Sequence, residues 1–200
     1  MGGTEVPEAY GKRSAEYINL FGSIEAAAER DRECLLAWAQ GVDGRIIDIG
    51  CGPGQWTNYL HQSGVDVEGL DPVPEFINEA RQRYPDVRYR IGHADRLGVE
   101  DASLGGVLAW FSLIHTDPDQ IDGLLIEFAR CIRPGGSLAI GFFAGAELAS
   151  FDHAVTTAYF WPVGQLSSRV QRAGFLVTDS RTRTDPEVRA QGTIIAQRLA

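Results

Sequence analysis

Apolar residues in this chain follow two alternating patterns. Compact apolar runs read as buried strands, and the segments between them place apolar residues at helical spacing. The runs are Ile46–Ile49, Val65–Leu70 (ending at Asp71), Val87–Ile91, Leu104–Phe111, Ser137–Phe143, Phe175–Arg183 and Thr193–Leu199. Helical spacing predicts a helix from Ile24 to Gln40, with Cys34, Leu35 and Trp38 on one face. It also groups Trp56, Tyr59 and Leu60, then Phe76, Ile77, Ala80 and Tyr84, and later Leu166, Val170 and Ala173. Ile121, Leu124, Leu125, Phe128 and Ile132 form the stripe of a helix whose start is signalled by Asp117 as N-cap and Pro118 at the first position. Gly64 and Gly174 stop two of these helices, and Pro85 ends another.

Strands alternating with helices predict a doubly wound α/β sheet. Leu104–Phe111 is almost wholly apolar, as a parallel strand covered on both faces should be. No helix separates the last two strands, so they are expected to pair as a hairpin, with the final strand antiparallel. The segment from Ala144 to Trp161 reads as an aromatic-rich connection. No internal repeat or linker is visible. The expectation is one domain over 1–200, with a helical cap over 1–41 and the α/β core over 42–200.

Composition narrows the function. The net charge of -9 argues against a phosphate-backbone partner, which needs a basic face. No apolar run approaches the roughly 20 residues that cross a bilayer, so no membrane partner is expected. No signal peptide is visible at Met1–Glu5, and Cys34, Cys51 and Cys131 have neither disulfide nor zinc spacing. The expectation is a cytoplasmic protein with no metal.

Candidate chemistry gathers where the first three strands end. Ile46–Ile49 runs into Gly50-Cys51-Gly52-Pro53-Gly54, a turn that lets main chain approach a nucleoside-type ligand. Asp71 ends the second strand, where a carboxylate can accept from two ribose hydroxyls. Asp95, in Gly92-His93-Ala94-Asp95, follows the third strand and can accept from an adenine amine. Gln55 stands where a dinucleotide site has its third glycine, and Asp48 suits an ammonium or sulfonium better than a pyrophosphate.

With these residues the chain resembles the class I S-adenosylmethionine-dependent methyltransferases, small single-domain bacterial members of the "methyltransferase domain 11/25" type. The resemblance rests on Asp48–Gly54, Gly69-Leu70-Asp71, Gly92–Asp95 and Arg130-Cys131-Ile132-Arg133-Pro134-Gly135-Gly136. It implies a Rossmann-like seven-stranded sheet ordered 3-2-1-4-5-7-6 with strand 7 antiparallel. It implies S-adenosylmethionine as cofactor and S-adenosylhomocysteine as product. The methionine moiety would lie against Gly50 and Gly52, the ribose on Asp71 and the adenine near Ala94, Asp95 and Arg96. Around them Asp48, Cys51, Gly54, Trp56, Pro72, Trp110 and Phe111 would complete the cofactor site. Tyr10 and Tyr17 resemble aromatics of an N-terminal lid.

Trp110–Thr116 leaves the fourth strand at the same edge, where methyltransferases present the transferable methyl group. His115 is the candidate general base, since imidazole can accept a proton near neutral pH; contact with the cofactor, and packing or capping alone, are its alternatives. Tyr10, Ser112, Phe143, His153 and Tyr159 are the candidate acceptor-side residues, with core packing as the alternative for the aromatics. The partner expected is a small-molecule acceptor methylated at oxygen, nitrogen or sulfur, with the protein a monomer or homodimer. Two other functions stay open: a non-catalytic protein that binds the cofactor or its product, and a nicotinamide-dependent oxidoreductase, against which Gln55 counts.

Overall fold

Ile46 and Ile47 set the layering. They are neighbours in β1 (Ile46–Ile49), and their side chains enter two different cores, one on each face of the sheet. A computed structural model describes residues 5–14, 16, 18, 22–186 and 188–200. β2 (Val67–Asp71) and then β3 (Arg88–Ile91) pair parallel on one side of β1. β4 (Leu104–Trp110) and β5 (Ile132–Ala144) pair parallel on the other.

β6 (Ala149–Asp152) and β7 (Thr157–Trp161) form an antiparallel hairpin. β7 joins the sheet through two residues only, Phe160 and Trp161, set against Phe143 and Ala144 at the end of β5. β8 (Phe175–Arg183) and β9 (Gln191–Arg198) form the closing hairpin, and β9 lies antiparallel along β5. With the β6–β7 insertion set aside, the order is β3-β2-β1-β4-β5-β9-β8. Those strands counted along the chain read 3-2-1-4-5-7-6 with the last antiparallel, as the resemblance implied.

The helices are α1 (Glu5–Lys12), α2 (Glu29–Gln40), α3 (Gln55–Gln62), α4 (Pro74–Arg83), α5 (Ile121–Cys131) and α6 (Val163–Arg172). One core joins α5 and α6 to the sheet through Phe128, Leu125, Leu166, Val170 and Phe175. The other joins α2 and α3 through Leu35, Trp38 and Leu60. Each such buried side chain contributes roughly 1.5–3 kcal/mol relative to an exposed one. Trp38 also donates its indole N–H to Ser137 Oγ at 2.8 Å, so its polar tip is satisfied under α2.

Four expectations need correction. The helix predicted from Ile24 begins at Glu29: a 3₁₀ turn, Ile24–Ala26, comes first, and Ala27 and Ala28 are extended. Asp117 does not cap α5, whose N-cap is Gln120. Its carboxylate instead accepts from Asp119 N at 2.9 Å and closes a separate turn. β5 starts at Ile132 rather than Ser137, directly from the end of α5. The aromatic-rich connection contains the β6–β7 hairpin.

Candidate functional site

Three of the loops that follow parallel strands converge on one edge of the sheet. Gly50, Gly52 and Gly54 all have positive φ (65°, 56° and 85°) in the turn after β1. Part of the reason is the protein itself. A Cβ on Gly50 would lie 2.4 Å from Ser112 Cβ, and one on Gly54 would lie 2.6 Å from the Tyr89 hydroxyl. At those two positions close protein packing demands glycine, which sequence reasoning had assigned to ligand approach alone.

Asp71 organises the turn. Its Oδ2 accepts from Gly52 N and its Oδ1 from Val73 N, both at 2.8 Å. Asp48 is also buried and accepts from the Thr57 hydroxyl at 2.7 Å. Burial pushes the Asp48 carboxyl up to about 7; the Thr57 bond opposes this and the nearby Asp71 adds to it. Burial likewise pushes Asp71 up to about 6 against its two backbone bonds. Two buried carboxyls held above their ordinary range are matched to a ligand carrying positive charge. Beside them, Gln55 Oε1 and Ser112 Oγ are buried with no hydrogen-bond partner in the protein. Such atoms carry a desolvation cost that a polar ligand offsets.

The 92–96 turn starts against the same place, since Gly92 N donates to Asp71 O. Asp95 and Arg96 are exposed, and Ala94 is half-buried. Pro72 is half-buried, and Cys51 is fully inside, where burial holds its thiol well above the usual range. Tyr17 lies outside the described residues. Trp56 and Trp110 pack against the α2–α3 core with their ring centroids 6.0 Å apart.

Tyr10 and His153 flank His115, and Phe143 packs on His153. The Nδ1 of His115 lies 2.7 Å from Thr157 O, a carbonyl that can only accept, so Nδ1 carries the proton of the neutral ring. Nε2 is then the basic lone pair, and the Tyr10 hydroxyl donates to it at 2.9 Å. Burial lowers the His115 pKa, against the raising effect of the Thr157 bond, which keeps the ring neutral at pH 7. Tyr10 also packs edge-on to Phe76 of α4, so α1 lies across the site. His153 stands 5.2 Å from His115, centroid to centroid, and burial pushes it down to about 4. Phe143 and Phe151 pack beside it.

Among the described residues Phe111 is one of two non-glycine positions with positive φ (55°), and its ring lies 5.3 Å from Phe143. Tyr159 is less engaged: its ring packs against the main core and its N–H bonds to Ile114 O. Sequence reasoning missed Thr57 under Asp48 and Phe76 under Tyr10. Thr57 follows Gln55 in the first turn of α3, a spacing that was available but silent. Among the described residues no cluster of His, Cys, Asp and Glu suits a metal ion. No described helix is long and apolar enough to cross a membrane. A wider depression of about 440 Å³ lies between α1 and α4, but Glu8 and Glu75 line it and no residue of the glycine turn does.

This is the strand-end edge at which Rossmann-like proteins hold nucleoside cofactors. A family model described as a methyltransferase domain matches residues 46–136. An uncharacterized methyltransferase of Synechocystis sp. is 30% identical over 142 residues, covering 66% of this chain and 67% of that protein. One of Mycobacterium tuberculosis is 32% identical over 125 residues, covering 60% of this chain and 50% of its own length. The chain thus spans about half the length of the mycobacterial relatives it matches. Among solved structures, the 1,6-didemethyltoxoflavin-N1-methyltransferase of Burkholderia thailandensis superposes with a TM-score of 0.78 at 20% identity, over 98% of this chain and 90% of that one. The chain belongs to the class I S-adenosylmethionine-dependent methyltransferases.

Proposed function

We propose that the protein transfers the methyl group of S-adenosylmethionine to a small-molecule acceptor at oxygen, nitrogen or sulfur. The observation that carries this reading is the pair of buried carboxyls, Asp48 and Asp71, flanking a glycine turn beside the unpartnered Gln55 Oε1 and Ser112 Oγ. These residues fit the cofactor: Asp71 would take the ribose, Asp48 the positive end, and Ala94, Asp95 and Arg96 the adenine. Gly50, Gly52, Gly54, Cys51 and Pro72 would shape the main-chain wall. When bound, the cofactor supplies an electrophilic methyl group on a sulfonium. The Burkholderia enzyme is described with bound 1,6-didemethyltoxoflavin and S-adenosylhomocysteine, which supports a small organic acceptor by analogy.

The chain's own part is positioning and proton handling. Nε2 of His115 is the base, held in its tautomer by Thr157 O, and Tyr10 occupies that lone pair until an acceptor displaces or uses its hydroxyl. His153, Phe143, Ser112 and Phe111 border the acceptor, and the aromatic faces favour a nearby cation. Acceptor-dependent formation of S-adenosylhomocysteine tests the reading. Cofactor binding without turnover for any acceptor would favour a non-catalytic binding protein.

A further inference from the structure

A second recess, of about 200 Å³, opens beside Trp110 and Phe111 between α2 and the ends of β8 and β9. Its lining carries three guanidinium groups, Arg30, Arg181 and Arg183, against one carboxylate, Asp31. Two further carboxylates just outside the lining, Asp179 and Asp185, pair with these arginines, so spare donors rather than net charge distinguish the recess. The arginines differ in how much of their donor fork is used. Arg183 is spent structurally: it pairs with both oxygens of Asp31 and also bonds Gln191, tying β8 to α2 and β9. Arg30 makes a single side-chain bond, to Asp185, and Arg181 uses two donors on one oxygen of Asp179. Asp179 and Asp185 do not line the recess. Arg30 and Arg181 therefore border it with N–H donors to spare, in the planar geometry that matches a carboxylate.

The wall facing these arginines ties the recess to the reacting end. Phe111 is held at φ 55° as the chain leaves β4, a costly conformation for a non-glycine residue, and its ring separates the recess from Phe143. Cys34 also lines the recess, and burial raises its thiol pKa, so it contributes a neutral wall rather than a nucleophile.

We infer that this recess binds the anionic group of the acceptor, a carboxylate-bearing small molecule, through Arg30 and Arg181, with Phe111 between that anchor and the methyl-transfer site. This rests on the methyl-transfer reading for its role, but not for its binding chemistry. Sodium benzoate, which the recess can accommodate, is the probe, with isosteric neutral benzamide as control. Both are titrated by calorimetry into the protein saturated with S-adenosylhomocysteine and into the protein alone.

The account expects benzoate to bind at least about tenfold more tightly than benzamide, as a charge-assisted pair should. The variant Arg30→Gln/Arg181→Gln should abolish that preference while S-adenosylhomocysteine affinity stays within about twofold of the parent. Thr182→Trp, a bulky replacement at an exposed lining position that leaves all three arginines in place, should abolish benzoate binding. Equal affinity for the two probes, no benzoate binding, or a preference that survives the double variant overturns the inference. Failure of S-adenosylhomocysteine to bind, with the benzoate preference intact, would instead overturn the cofactor reading and leave the anion site standing.

Discussion

Asp71 holds the glycine turn before any ligand arrives, because both of its oxygens already accept backbone N–H bonds. Asp71→Asn keeps the size of the side chain but replaces one acceptor by a donor facing a backbone N–H. Charged hydrogen bonds contribute roughly 1.5–3 kcal/mol each, so cofactor affinity should fall at least about tenfold by calorimetry. Unchanged affinity would remove Asp71 from the ribose site. His115 invites a different measurement. Since burial lowers its pKa, the acid limb of kcat/KM should fall below the ordinary histidine value of about 6.5, the base being lost only as pH drops through that limb. His115→Ala should lower kcat with little change in cofactor affinity; turnover equal to the parent's would end the base role. At this scale the acidic and glycine residues were legible because their types and spacing are restrictive. Thr57 was not, nor was the burial of the Gln55 amide and the orphaned Ser112 Oγ, since nothing local tells a buried hydroxyl or amide from an exposed one.

The turn after β1 and helix α1 are the elements on which the site depends. Gly54→Ala would force a side chain into positive φ and against the Tyr89 hydroxyl, at a cost of about 1–3 kcal/mol, read as a lower midpoint in urea unfolding. An unchanged midpoint would show that the turn relaxes freely. Tyr10→Phe removes the bond to His115 and keeps the packing on Phe76. It should loosen α1, seen as faster amide exchange there, with a thermal midpoint close to the parent's; exchange unchanged in α1 would mean the bond does not hold that helix. Among elements, the long apolar strands were easy to read, since burial on both faces leaves a continuous apolar run. The β6–β7 hairpin was hidden for a physical reason. Ala149–Asp152 is mostly exposed and lacks alternation, and β7 is placed by its pairing with the far end of β5. The start of α5 was misread because Asp117-Pro118 carries helix-start chemistry yet closes its own turn.

For the whole molecule, β5 is the spine. It pairs with β4, β9 and β7, and its far end delivers Phe143 to the aromatic cluster around His153. The strand order was legible because alternation of strands and helices fixes a doubly wound sheet and the missing last helix fixes the antiparallel closure. What the sequence could not supply was the division of the ligand edge into two electrostatic ends. One end has the buried Asp48 and Asp71; the other has the guanidinium-lined recess behind Phe111.

The acidic end makes a linkage statement. Free Asp48 and Asp71 bind protons up to about pH 7 and pH 6, and a cationic ligand favours their ionised forms, so binding must release protons. Calorimetric titration of S-adenosylmethionine between about pH 5 and pH 8 tests this most directly. The account predicts one-to-one binding that tightens as pH rises through that window and levels off above it. No binding, or an affinity flat across the window, would contradict it.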